Sequence, residues 1–218
     1  MTTDKFVFFN VGETYIKFNL EYSERNRTLI KEAYLKQVGL KSREYLKNNE
    51  YYKISIEYEK GSTKTKIVIW ASAIYLGVGN YGDFRAGVKE IVNDVKSFAS
   101  FVIERIDSDP DIDPESIVNA QRRTGIPGRL DDVYKKIEHL EKNINSLSNN
   151  EIQTELGEIK QEIANLISVL PNQDGQAFLQ SVNGQYSQNL PQPDEKKTHY
   201  LYSRYALKPE DEVEYVEE

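Results

Sequence analysis

A chain of 218 residues holds one full domain, or a compact domain with a helical extension, and 39% hydrophobic against 29% charged residues supplies a core without the apolar excess of a polytopic membrane protein. The net charge of −7 argues against a protein that coats nucleic acid through its overall field and leaves only a local basic patch for such a partner. With no cysteine there is no disulfide frame, thiol nucleophile or thiolate metal site, and His139 and His199 are the only imidazoles.

Residues 1–10 place Asp4 and Lys5 before a short apolar run, without the length or small-residue cleavage site of a secretory signal, so a cytoplasmic location is expected. Residues 6–11 are a candidate strand. In residues 15–21 Ile16, Phe18 and Leu20 alternate with Lys17, Asn19 and Glu21, the period of a sheet with one face in the core. Leu29, Ile30, Ala33, Tyr34 and Val38 then recur at helical spacing until Gly39, and a second short helical stretch covers 42–47. Alternation returns over 51–59, with Tyr52, Ile54, Ile56 and Tyr58 on one side. A helix is expected from Thr63, with Ile67, Trp70, Ala71, Ile74 and Val78 on its apolar face. From Phe84 to Ile106 the stripe Phe84, Val88, Ile91, Val92, Val95, Phe98, Ala99, Val102, Ile106 predicts a long amphipathic helix. The fold class is therefore α+β: a small N-terminal sheet with packed helices over 1–106.

Residues 107–128 are expected to comprise an acidic linker with two prolines, a short helix over 114–123, and a basic turn. In 129–170 the residues Leu130, Val133, Ile137, Leu140, Ile144 and Leu147 follow heptad spacing. After a polar break, Ser148 with Glu151 spells a capping box. Ile152, Leu156, Ile159, Ile163, Leu166 and Leu170 continue the ladder to Pro171; the polar break over 146–150 suits an antiparallel helical hairpin, with one long continuous helix as the alternative. Two helices alone leave part of their seam uncovered, so the hairpin is expected to dock on the first domain or on another subunit. Residues 171–218 turn to Gln, Asn, Ser, Pro and Gly, with a hint of a short helix over 177–182, and end in an extended acidic, Tyr-rich tail.

Two motifs bear on chemistry. Gly77, Gly79 and Gly82 spell G-x-G-x-x-G, the dinucleotide-binding spacing, with Glu104 or Asp107 at the distance of a ribose ligand. Asp83 would set a carboxylate beside a pyrophosphate, and no further alternating strands follow. The glycines are therefore assigned to close helix packing or a bend, with Asn80 and Asp83 as caps. Arg122, Arg123 and Arg129 flank a glycine-rich turn before a helix and could hold a phosphate. The preferred assignment has Arg122 and Arg123 offset a helix dipole and pair with Asp131, Asp132 or the acidic linker. His139 falls on the solvated flank of a heptad helix, and no spaced carboxylate or serine accompanies His199, so no catalytic residue, cofactor or metal is expected.

The sequence thus supports a non-enzymatic assembly protein, self-associating or binding a partner subunit through Ile152, Leu156, Ile159, Ile163, Leu166 and Leu170. A second reading is a membrane-acting oligomer, as in a bacterial conflict or defence system, peripheral to a membrane and presenting an apolar 67–82 helix. In it Trp70, Ile74, Gly77, Gly79 and Gly82 meet lipid or a neighbouring helix. A third is nucleotide or nucleic-acid binding through the glycine motif and the three arginines, against which the net charge weighs. Richness in Lys, Asn, Ile and Tyr fits a bacterial or phage chain.

Overall fold

The computed structural model of the chain describes residues 9–19, 52–58, 64–71, 83–110, 112–191 and 215–217. Strands β1 (Phe9–Phe18), β2 (Tyr52–Tyr58), β3 (Lys64–Ala71), β4 (Ile117–Arg123) and β5 (Tyr215–Glu217) form one sheet in the order β4-β1-β3-β2-β5. All pairings are antiparallel except the short parallel one between β2 and β5. Helices α1 (Phe84–Asp107), α2 (Gly125–Asn143), α3 (Asn149–Ile167), α4 (Asn172–Ser181) and α5 (Gly184–Ser187) complete an α+β architecture.

Alternation along β1 puts Ile16 and Phe18 in the core, each about 1% exposed, and leaves Lys17 in solvent. Helix α1 crosses this strand. A Cβ on Gly12 would lie 2.0 Å from Val95 Cγ1, so the missing side chain is what lets helix and strand approach. The ladder between β1 and β3 slips at this place, between Asn10 and Gly12. The stripe of α1 is buried as its spacing requires, with Val88, Val95, Phe98 and Val102 at 0% exposure. Full burial of each contributes about 1.5–3 kcal/mol. Asp83 caps the helix by accepting from the Ala86 N–H at 2.8 Å, as its place in the sequence suggests.

Between β4 and α2 the chain reverses at Gly125, whose φ is +50°, and a Cβ there would sit 2.4 Å from the carbonyl oxygen of Asn10. A side chain would suffer from both backbone conformation and space, so glycine anchors the start of α2 against β1. Helix α2 packs on both α1 and β1. One contiguous apolar cluster consequently runs from Val11 on the sheet to Tyr186 on α5, joining sheet and hairpin.

The structure corrects several expectations. Residues 64–71 are a strand, not the first half of an apolar helix. Ile67, Val68 and Ile69 are consecutive and each at most 1% exposed, as in a strand covered on both sides. Their β-branched run favours extended backbone, and β1 and β2 supply ladder partners on either side. Trp70 therefore belongs to a central strand. Ile74, Gly77, Gly79 and Gly82 lie outside the described residues, as do the helices expected over 23–39 and 42–47.

The helix expected over 114–123 is instead one 3-10 turn, Pro114–Ser116, followed by β4. Pairing with β1 outweighs the weak helical preference of seven mostly polar residues. The basic turn expected over 121–129 divides between the end of β4 and the first turn of α2, which begins at the glycine-rich 125–128. Candidate strands over 6–11 and 15–21 merge, where described, into the single strand β1. Past Pro171, where the composition turns polar and only a short helix over 177–182 is expected, α4 and α5 both pack into the core, with Phe178 at 0% and Tyr186 at 1% exposure.

Candidate interaction surfaces

Helices α2 and α3 form the antiparallel hairpin that the heptad spacing predicts. Lys136 meets Glu162 at 2.5 Å and His139 approaches Glu155 at 3.9 Å, so position falls along one helix as it rises along the other. The break between the helices holds the predicted capping box. The Ser148 N–H donates to Glu151 Oε2 at 2.7 Å, and the Glu151 N–H donates to Ser148 Oγ at 3.4 Å. Hydrogen bonds from the Ser148 hydroxyl and then its backbone N–H hold the Glu151 carboxyl below its ordinary value.

The seam of this hairpin changes character along its length. At the root, Ile159, Ile163, Leu166 and Leu170 are between 0% and 5% exposed, in the cluster that also contains Phe178, Val182 and Tyr186. Four of the six ladder residues expected to meet another subunit are thus covered by their own chain, chiefly because α4 and α5 fold back over α3. At the tip, Ile152 and Leu156 are half-buried together with Leu147, and Ile144 is 44% exposed.

Tyrosines lock the root. Tyr134 of α2 hydrogen-bonds Ser181 of α4 and stands edge-on to Phe178, with ring centroids 5.7 Å apart. Arg85 of α1 lies 5.0 Å over the Tyr134 ring and pairs with Glu138. Burial pushes the Tyr134 phenol up to about 12, although the Ser181 hydrogen bond and the Arg85 charge act in the opposite direction. Tyr186 donates to Glu141 at 3.3 Å, and its phenol is raised too, by burial first and then by the Glu141 charge. The sequence signal for this cover is Phe178, Val182 and Tyr186 at successive intervals of four, set in a polar stretch whose composition masks it.

An open groove of about 450 Å³ runs along the hairpin flank, lined by Lys135, Lys136, His139, Glu155, Glu158 and Ile159. Its charges are largely matched. Lys136 is paired with Glu162 and Lys135 with Asp131 at 2.6 Å, so the groove concentrates no field of either sign. His139 is exposed on the hairpin flank, as its heptad position predicts.

The arginines do not form one anion site. Neighbours on a strand point to opposite faces, so Arg122 reaches Ser100 of α1 at 2.8 Å. Arg123 lies on the other face, bound to Glu13 at 2.8 Å and 5.2 Å over the Tyr15 ring. Arg129 is exposed on α2. Neither Arg122 nor Arg123 ends a helix, and it is Lys135 that pairs with Asp131 and Asp132. The glycine motif lies outside the described residues.

One feature of this region was missed by sequence reasoning. Strand β4 is one of the two outer strands of the sheet, exposed from Val118 to Arg123; its ladder with β1 bulges at Val118, which at 57% is the most exposed large hydrophobic among the described residues. Among those residues no helix is long and apolar enough to cross a membrane. Comparison of the chain with models of protein families, with curated proteins and with solved structures gave no match. The chain is an α+β protein whose hairpin is rooted in the core of its own sheet, with a partly covered helical tip and, at one border of the described sheet, the exposed strand β4.

Proposed function

We propose that this is a non-enzymatic assembly protein that self-associates through its helical hairpin, with the tip rather than the whole ladder as the contacting part. The observation that carries the reading is the change along one seam. The repeat continues through Ile144, Leu147, Ile152 and Leu156 after the chain's own cover has run out, which leaves Ile144 in solvent among half-buried neighbours. Apolar residues kept at seam positions beyond the intramolecular core serve a contact with something else. A second tip of the same kind satisfies them by the same knobs-into-holes packing.

The test is the mass of the full chain in solution by light scattering, across a concentration series, for the parent and for Ile144→Asp. The expected outcome is a concentration-dependent oligomer that Ile144→Asp shifts to monomer while thermal unfolding moves little, because the residue is already exposed. Equal masses for parent and variant would remove the tip as the interface.

A further inference from the structure

Strand β5 is attached to the sheet through a single short ladder. Tyr215, Val216 and Glu217 pair in parallel with Ile56, Glu57 and Tyr58, and β2 is the one ladder partner of β5 among the described residues. The ladder engages three of the seven residues of β2. Backbone hydrogen bonds in so short a pairing contribute about as much as is lost in ordering the residues that make them, and parallel pairing is the weaker kind per residue. This border is therefore among the most easily opened parts of the sheet.

The strand that covers it is reached through a long stretch of chain. About two dozen residues, 192–214, separate it from Pro191, and at about 3.3–3.6 Å per residue they extend to at most about 80 Å. A compact chain of 218 residues is roughly 45 Å across. The connection is thus long enough to carry β5 to the β2 border of a neighbouring copy as well as to its own.

From this we infer that copies of the chain exchange β5, so that Tyr215–Glu217 of one copy pair with Ile56–Tyr58 of its neighbour in the same parallel register. The inference rests on the reading of this protein as a self-associating one, though not on the hairpin tip as the contact. The occupant follows from the ladder itself. The sequence that fits the border is that of β5, and a second copy carries the same sequence. In this register a longer strand of that sequence would set Glu212 opposite Lys53 and Val213 opposite Ile54, unlike charges in one pair and β-branched residues in the other.

An exchanged ladder makes the same hydrogen bonds as a closed one, so only the connection separates the two forms. In an isolated chain the tethered strand is present at an effective concentration near millimolar, and closure within the chain wins in dilute solution. Within an assembly the neighbour's border lies at a comparable distance, the two effective concentrations become alike, and both forms are populated. Each exchanged strand then adds a second link to the contact that first joined the copies.

The chain contains no cysteine, so introduced thiols report which copy supplies the strand. Glu57 and Val216 are ladder partners, and facing residues on adjacent strands have Cα atoms about 5 Å apart, within disulfide range. Full chains carrying Glu57→Cys and Val216→Cys separately, one with a size tag, are mixed at a concentration where light scattering finds the parent associated, then treated with oxidised glutathione. A covalent heterodimer is expected, in at least tenfold higher yield than from Val216→Cys mixed with Val118→Cys on the opposite outer strand. The double variant Glu57→Cys/Val216→Cys, diluted until the parent is monomeric, is expected to form an intramolecular disulfide that reports the closed form. Tyr58→Cys with Glu217→Cys repeats the test one position along if either of the first pair unfolds the chain.

An associated parent whose mixed variants give no heterodimer, while the double variant closes on itself, overturns the exchange and leaves the assembly reading standing. A heterodimer that forms equally well with Val118→Cys overturns it as collision between surface thiols, and a double variant that forms no disulfide overturns it by showing that β5 does not hold this border. A parent that stays monomeric throughout the concentration series removes the assembly reading and the exchange with it.

Discussion

The root and the tip of the hairpin share one heptad pattern and one pair of helices, yet they end in opposite environments. At the root Ile163 is fully buried in the apolar cluster that also holds Phe178 and Tyr186, while at the tip Ile144 stands 44% exposed and Ile152 is half-covered. The difference does not come from the helices. It comes from the following twenty residues, whose short helices α4 and α5 fold back over one end of the seam and leave the other. A repeat therefore specifies which side of a helix is apolar and says nothing about what covers it.

Truncating one residue at each end breaks or sustains this comparison most directly. Ile163→Ala should lose about 2–5 kcal/mol in urea unfolding, the range for a large side chain removed from a sealed core. Ile152→Ala at the tip should lose clearly less, since part of that side chain is already in water. Equal losses would mean that the tip is as well packed as the root.

The two ends should also fail at opposite extremes of pH. Burial raises the Tyr134 phenol in the folded chain from its ordinary 10 to about 12. The unfolded chain therefore loses that proton first as pH rises. The stabilisation is complete below pH 10 and disappears as pH climbs to about 12, a difference of roughly 2–3 kcal/mol. Tyr134→Phe should flatten that alkaline slope in a series of unfolding curves.

The smallest effect belongs to the tip. Ser148→Ala removes the cap of α3 and should cost about 1 kcal/mol. The Glu151 carboxyl is lowered in the folded chain, so its contribution is present above the ordinary value of 4.5 and lost as pH falls through the lowered one. Acid should therefore loosen the start of α3 before it affects the root, and hydrogen exchange on residues 149–153 would detect the order. Exchange that begins at α4 instead would reverse the comparison.

How much was legible in the sequence depended on whether the signal was local. The stripe of α1, the capping box at Ser148 and the strand over 52–58 are each signalled by neighbours a few residues apart, and all appear at their expected places. Strand β4 was not legible, because seven mostly exposed residues carry no period, and only the unfilled side of β1 makes them extended. The run Ile67, Val68, Ile69 supported either period. Two neighbouring strands resolved it, a partnership between residues far apart in the chain.

The candidate interfaces divide in the same manner. The ladder from Ile152 to Leu170 could be picked out as apolar from its spacing, but that four of its six members face their own chain depended on Phe178, Val182 and Tyr186 returning over α3. Arg122 and Arg123 looked like one basic cluster until strand geometry sent them to opposite faces of the sheet.

By itself, the sequence determined the α+β class, the helical hairpin and the caps, because periodicity and capping act within a few turns of the backbone. Only the tertiary structure decided which apolar residues are covered, which strands lie side by side and which charges meet, since burial, strand order and ion pairing are relations between segments separated along the chain.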